Sequence, residues 1–390
     1  GDTIVLGAAV SKTGKYATNG KHTINGYNLA VELINAKGGV KVGGKTYKLK
    51  IVYYDDESTP ARGAQLAERL ISQDGVKYLL GPYSSGLTKA IAPVTEKHKI
   101  PMVEANGASR SLFTQGYKYL FAVLSTSEQY LASSIELLAE RAKAMGKKPG
   151  DMKIAMAFEN DPFSQDVRAG VLEDAKKYGM KIVIDDKLPP ELNDMTATLR
   201  KVKVVKPDLL VVSGHSKGAA LAIRQLAAMM VNVPMLAMTH CDSAQVIKKY
   251  GKNAEYTLCA SQWAPSLTYK DKVFGSASDF AATFQKKFGY APPYQSAESA
   301  AAVLVFADAF QRAGSFDVAK VRDALAATDM QTFYGNVKFD KTGKNIAKPM
   351  VLFQVQDGKY NVVAPTKWAS SKIRHPTPPW TCHGAARVAP

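Results

Sequence analysis

The stretch AMTHCDSAQ, Ala237 to Gln245, sets His240, Cys241 and Asp242 in a row. These residue types build cysteine nucleophiles, metal sites and acid–base pairs. Neighbouring side chains of an extended segment diverge, so a base for Cys241 has to come from another element. His215, at the end of VVSGH, is the candidate. No strand-following G-x-G-x-x-G accompanies the pair. As metal ligands, His215, His240, Cys241 and Asp242 lack the spaced pairs of zinc motifs, and His375 with Cys382 and His383 is weaker still. The expectation is a chain without catalysis, metal or cofactor. A hydrolase using Cys241 is the enzyme alternative. Cys241 and Cys259 could form a disulfide in an oxidising compartment, leaving Cys382 over; sequence does not decide it.

The elements that carry these residues follow one rhythm. A chain of 390 residues is too long for one ordinary core, so two α/β lobes or one large barrel is the starting expectation. Runs such as TIVLGAAV, LKIVYYDD, KYLLGPY and PMVEANG read as buried parallel strands. Between them Ile24, Tyr27, Val31 and Ile34 recur at helical spacing, as do Ala64, Ala67 and Ile71, then Leu87, Ala90, Ile91, Val94 and His98. The pattern restarts with DMKIAMAFEN and runs through MKIVIDDKLP, PDLLVVSGH, VPMLAMTH and YTLCASQW. Helices are expected over 161–178, 196–206, 217–230 and 243–250. Two amphipathic helical segments follow Trp263, then a strand and a hairpin. The fold class is α/β: two Rossmann-like lobes, each a parallel sheet flanked by helices.

Composition narrows the partners. Lys plus Arg number 51 against 34 Asp plus Glu, a net charge of +17. Such a field favours anions. The lysines are dispersed, and no nucleic-acid-binding motif appears, so no nucleic acid is expected. No apolar run approaches the ~20 residues that span a bilayer. GDTIVLGAAV is not a signal peptide, which leaves a cytoplasmic protein or one whose signal has been removed.

The ordered set GKYATNGKHTINGYNLAVELINAKGGV, IVYYDDESTP, LLGPYSSGLTKAIAPV and IPMVEANGAS resembles the periplasmic leucine/isoleucine/valine-type solute-binding proteins of ABC importers, the type I periplasmic binding proteins. The likeness runs from about residue 3 to about residue 365 and implies two lobes joined by three crossover strands, with a ligand in the cleft. Lobe 1 would be 1–123 and 264–336, lobe 2 124–263 and 337–368, with an irregular, partly disordered tail over 369–390. The crossings fall near 122–126, 259–264 and 335–338. The resemblance further implies a monomer, exported to the periplasm with its signal removed, that hands a small carboxylate to a membrane permease. A ligand-sensing receptor module shares this fold and is an alternative.

Both physics and resemblance place the site at strand ends. LLGPYSSG is a strand end running into a helix, where free N–H groups attract a carboxylate. Ser84 or Ser85 can cap that helix. EANGAS, with Asn106, Gly107 and Ala108, is the next strand end. The family holds a ligand carboxylate with these two turns, which here are Ser85 and Asn106–Ala108. Ala108 stands where a threonine is common, so Asn106 is expected to supply the missing polar contact. A family aromatic aligns with Asn19, with Tyr16 nearby. In lobe 2 the amino-acid binders place an acid for the ligand's ammonium near position 240; this chain has His240. His215 occupies a position that is often aromatic, and Phe163, after ENDP, one that often contacts ligand. An imidazole does not replace a carboxylate as an ammonium partner. Tyr16, Tyr83, Phe163 and Trp263 are candidate walls for a ring. The expected ligand is an aromatic acid of hydroxybenzoate or phenylpropenoid type; an amino acid is the alternative, favoured if Asp242 turns inward. Asp242 is otherwise read as the cap of the following helix, and Cys241 as a small packed residue or disulfide partner.

Overall fold

The computed structural model describes residues 2–380. Unit 1 runs to Thr126 and resumes over Gln262–Pro349; unit 2 holds Ser127–Ser261 and resumes at Met350. Unit 1 begins β1 (Thr3–Val10), α1 (Ala17–Ala36), β2 (Val40–Val42), β3 (Lys45–Asp55), α2 (Pro60–Ser72), β4 (Leu79–Leu80), α3 (Ser85–Lys97), β5 (Met102–Glu104) and β6 (Leu120–Ala122). Unit 2 follows with α4 (Ala132–Ala144), β7 (Lys153–Glu159), α5 (Pro162–Tyr178), β8 (Lys181–Leu188), α6 (Thr196–Val205), β9 (Leu209–Ser213), α7 (His215–Met229), β10 (Leu236–Met238), α8 (Val246–Tyr250) and β11 (Leu258–Ser261). The chain returns to unit 1 for β12 (Lys270–Asp271), β13 (Gly275–Ser276), α9 (Ala277–Phe288), α10 (Tyr294–Ala313), α11 (Val318–Ala326), β14 (Asp329–Thr332) and β15 (Gly335–Lys338). It ends in unit 2 with β16 (Val351–Gln356) and β17 (Lys359–Ala364).

The unit 1 sheet has the order β2-β3-β1-β4-β5-β6, parallel except for the β2–β3 hairpin. The unit 2 sheet has the order β17-β16-β11-β10-β9-β7-β8, parallel from β11 to β8 and antiparallel through β16 and β17. Strands buried along their length, such as β7 and β9, explain the unbroken apolar runs. In both sheets β–α loops gather at the carboxyl edge, where Ser84, Asn106, Asp161, His215 and His240 lie.

The third junction differs from the sequence reading. It falls after Pro349, whereas the expected lobe boundary is 336. β15 folds back on β14, and the Ala122 N–H donates to the Gly343 carbonyl, so residues 337–349 stay with unit 1. Just inside its three junctions unit 1 ties the chain together. The Ser125 N–H donates to Gln262 Oε1 (2.9 Å), Gln262 Nε2 to the Ser125 carbonyl (2.8 Å), and Ser125 Oγ to the Lys348 carbonyl (2.7 Å).

Two other expectations change. α10 is buried around most of its surface, not amphipathic, because its alanines and serines let neighbours close in. The helix it meets, α1, presents Gly26: a Cβ there would lie 2.3 Å from the Ser296 carbonyl oxygen and 2.9 Å from Ser299 Cβ. Gly26→Ala should therefore lower unfolding free energy by about 2–3 kcal/mol through overpacking, read as a shift of the urea midpoint. A change below about 0.5 kcal/mol would mean that the helices part without cost. The chain is irregular over 369–380 and is anchored to unit 2. Trp380 Nε1 donates to the Val231 carbonyl (2.9 Å), the Thr377 N–H to the Pro234 carbonyl (2.9 Å), and Gln354 Nε2 to the Arg374 carbonyl (2.9 Å). Residues 381–390, with Cys382 and His383, lie outside the described residues.

Candidate ligand-binding site

In unit 1 two adjacent turns carry the predicted residues. Ser84 caps α3, its Oγ accepting the Leu87 N–H (3.3 Å). Its φ of 87° and ψ of 153° lie in a region that residues with a Cβ rarely adopt, the kind of strain found where a functional turn is fixed by its surroundings. Ser85 Oγ accepts the Ser109 N–H (2.9 Å), fastening the α3 start to the turn after β5. Tyr83 and Asn106 pair as an isolated parallel bridge, so Ser84, Ser85, Asn106, Gly107 and Ala108 come together. The Tyr16 ring lies 5.4 Å from the Tyr83 ring. Asn19, buried at the start of α1, connects through its carbonyl and Thr23 to Asn106.

The role expected of Asn106 needs correction. Its Nδ2 donates to Thr23 Oγ1 (3.3 Å) and Ser299 Oγ (3.1 Å). Those hydroxyls give their own protons to the Asn19 and Gln295 carbonyls, so the amide orientation is fixed by the network. What remains is Oδ1, an acceptor with no partner among the described residues. Asn106 thus has no amide proton left to donate to a ligand.

In unit 2 three predicted residues form one ring cluster. Phe163 lies 5.3 Å from His215 and 5.4 Å from His240 between centroids, and the two imidazoles are 4.8 Å apart. Tyr130 meets Phe163 edge-on at 5.0 Å. Asp161, the N-cap of α5, accepts the Ser164 N–H (2.9 Å) with one oxygen and pairs with His215 Nε2 (2.5 Å) through the other. Burial pushes the Asp161 carboxyl up, but the charge and hydrogen bond of His215, with the Ser164 N–H, outweigh it and hold the group at about 2. Burial, and then the positive charge of His215, push His240 well below the ordinary imidazole value, so His240 is neutral. Its Nδ1 lies 2.9 Å from Thr239 Oγ1. His215 and His240 have positive φ, 56° and 68°, which turns each side chain at its strand end.

Other expectations fail or shift. Trp263, expected as a candidate pocket wall, packs against Phe280 and Phe333 of unit 1. Asp242 does not cap the next helix, since α8 starts after Gln245; its carboxylate accepts the Ser243 N–H and lies near Tyr360, where its charge adds to burial in raising that phenol. Cys241 and Cys259 form a disulfide on adjacent strand ends, so Cys241 has no thiolate for nucleophilic attack. Among the described residues Glu159, Asp161 and His215 hold ligand-type atoms within 4.8 Å of one another, but Nε2 of His215 is engaged with Asp161. Sequence reasoning missed Asp161 and Glu159 as chemistry, because D-P before a helix reads as a cap. It also missed Glu104, hidden inside an apolar strand.

A family model described as Periplasmic binding protein matches residues 3–359. The Leu/Ile/Val-binding protein homolog 7 of Brucella suis is 25% identical over 96% of this chain and 94% of its own length. Among solved structures, the branched-chain amino acid transporter substrate binding protein LivJ of Streptococcus pneumoniae, in complex with isoleucine, superposes with a TM-score of 0.79 at 23% identity, covering 93% of this chain and all (100%) of that one. A solute binding protein of an ABC transporter from Rhodopseudomonas palustris BisB5, in complex with 3,4-dihydroxy benzoic acid, gives 0.78 at 21% identity, covering 92% and 95%.

Proposed function

Since the chain belongs to the periplasmic binding protein family, we propose that the ligand it carries, as the solute-binding component of an ABC transporter, is an aromatic carboxylic acid of hydroxybenzoate or phenylpropenoid type. The observation that supports this most is the neutral, buried His240 within a cluster of rings, at the strand end where an ammonium partner would be needed. A ring stacks on Phe163 and the imidazoles, and a ring hydroxyl meets the hydroxyl-lined end of β10. The carboxylate rests on the start of α3 beside Ser84 and Ser85, with Tyr83, Tyr16, Asn19 and the Asn106–Ala108 turn around it. A membrane permease would then recognise the loaded protein; we place this in the periplasm, with the protein a monomer. The dihydroxybenzoate-bound relative fits this reading.

An amino acid is the second reading, and two observations favour it. Glu159 and Asp161 put acids beside His215, and Asn106 Oδ1 is an acceptor that an ammonium would satisfy. The isoleucine-bound relative fits that reading equally. A thermal-shift screen of amino acids against aromatic and aliphatic acids separates the two. Stabilisation by leucine or valine without any by hydroxybenzoates would sink the aromatic assignment. Ser85→Ala should weaken every carboxylate ligand by about tenfold or more, because it also leaves the Ser109 N–H without its acceptor. Equal calorimetric affinities would remove Ser85 from the site.

A further inference from the structure

Glu104 ends β5 immediately before the Asn106–Ala108 turn, and its side chain is fully buried. Two glycines make room for it. A Cβ on Gly81, in the loop leading to Ser84 and Ser85, would fall 2.4 Å from Glu104 Cβ; one on Gly107 would fall 2.0 Å from Glu104 Oε2. The carboxyl therefore lies directly behind both turns assigned to the ligand carboxylate. Neither oxygen has a hydrogen-bond partner among the described residues. Thr88 lies alongside, but its hydroxyl donates to the Ser84 carbonyl (2.8 Å). A buried carboxyl without a partner costs stability, and a serine or leucine would avoid that cost.

We propose that Glu104 is a specificity-determining residue: an uncharged carboxyl behind the ligand-carboxylate turns, whose proton must be held for an anionic ligand to bind. The inference rests on the proposed carboxylate site. Burial is what keeps the proton on; the Gly107 N–H and Thr88 hydroxyl lie near enough to oppose it weakly, without making a well-formed hydrogen bond to either oxygen. The titratable groups that share its surroundings are Tyr27 on α1, whose phenol donates to the Gly81 carbonyl (2.6 Å), and Glu298 on α10; burial first, then Tyr53 on β3, then the two acids raise that phenol. The faces from β4 and β6 are apolar, and α3 contributes Thr88. Ionised Glu104 would set a negative charge behind the α3 N-terminus and oppose the attraction on which an anion depends. Protonated, it leaves that attraction intact.

The test is calorimetric titration of 4-hydroxybenzoate and of leucine into wild type and Glu104→Gln at pH 6 and pH 9. Glutamine keeps the shape and the neutrality of the protonated acid. Wild type should lose at least about tenfold in affinity at pH 9 for whichever carboxylate binds, and Glu104→Gln should bind like wild type at pH 6 and change little at pH 9. A flat wild-type profile, or the same loss in both proteins, would overturn the role of Glu104 and leave the ligand assignment standing. Binding of leucine alone would overturn the aromatic reading and leave Glu104 testable on leucine; binding of neither would overturn both. A ligand-free readout is independent of these. An acid raised in the folded state contributes stability that is present below its unfolded value, near 4.5, and is lost as pH rises towards the folded value. The melting temperature of wild type relative to Glu104→Gln should therefore fall from pH 5 to pH 9; a constant difference would contradict the proposal.

Discussion

Asp161→Ala is expected to destabilise unit 2 by about 3–5 kcal/mol, the largest stability effect of any single change at the site. The substitution removes the α5 cap and leaves the charge of His215 buried without its closest partner. Loss of a cap costs about 1 kcal/mol and an uncompensated buried charge accounts for the rest. Asp161→Asn keeps the capping oxygen and removes the charge, so it should fall between wild type and alanine. Hydrogen exchange of α5 and α7 reads the effect within unit 2, and protection unchanged by Asp161→Ala would show that the pair carries no net stability. The pH dependence has a fixed sign. Asp161 is lowered from 3.8 to about 2, so its contribution is present above pH 3.8 and is lost as pH falls towards 2. Asp161→Asn should flatten that part of the acid limb.

His240→Glu is expected to weaken aromatic-acid binding by at least about a hundredfold, roughly 3 kcal/mol. The new carboxylate would stand among Phe163, His215 and Thr239, near the acids Asp161 and Glu159, and would repel an anion whose ring rests there. The same change restores a partner for an α-ammonium, so leucine should begin to bind. His240→Gln, neutral and hydrogen-bonding, should cost far less than glutamate. Isothermal titration of all three proteins with 4-hydroxybenzoate and leucine gives the answer. Unchanged affinities in His240→Glu would take His240 out of the site altogether.

The strand-end positions were legible because they depend on order and period. Uninterrupted apolar runs gave β7 and β9, and the residues that follow such strands, Phe163, His215 and His240, meet in one cluster. What the sequence could not show is pairing across elements. Asp161 reads as a cap from its neighbours, and only the fold brings His215 to its second oxygen. Asn106 reads as a donor until Thr23 and Ser299, one on α1 and one on α10, are seen to take both of its protons. Trp263 reads as a pocket aromatic, and only the fold shows its packing with Phe280 and Phe333. Glu104 is hidden inside the apolar run PMVEANG, and the two glycines that enclose it lie more than twenty residues before it and three after. His240, Cys241 and Asp242 have three separate fates: one imidazole in a ring cluster, one half of a disulfide, and one loop carboxylate near Tyr360.

In the aromatic reading the site takes a ring carboxylate and does not require an ammonium group. Titrating the wild-type protein with 4-hydroxybenzoate, with 4-hydroxybenzyl alcohol and with leucine tests it most directly. Binding is predicted for 4-hydroxybenzoate, with loss of at least about tenfold for the alcohol, which lacks the carboxylate, and no measurable heat for leucine. Tight binding of leucine with none of 4-hydroxybenzoate would overturn the aromatic assignment.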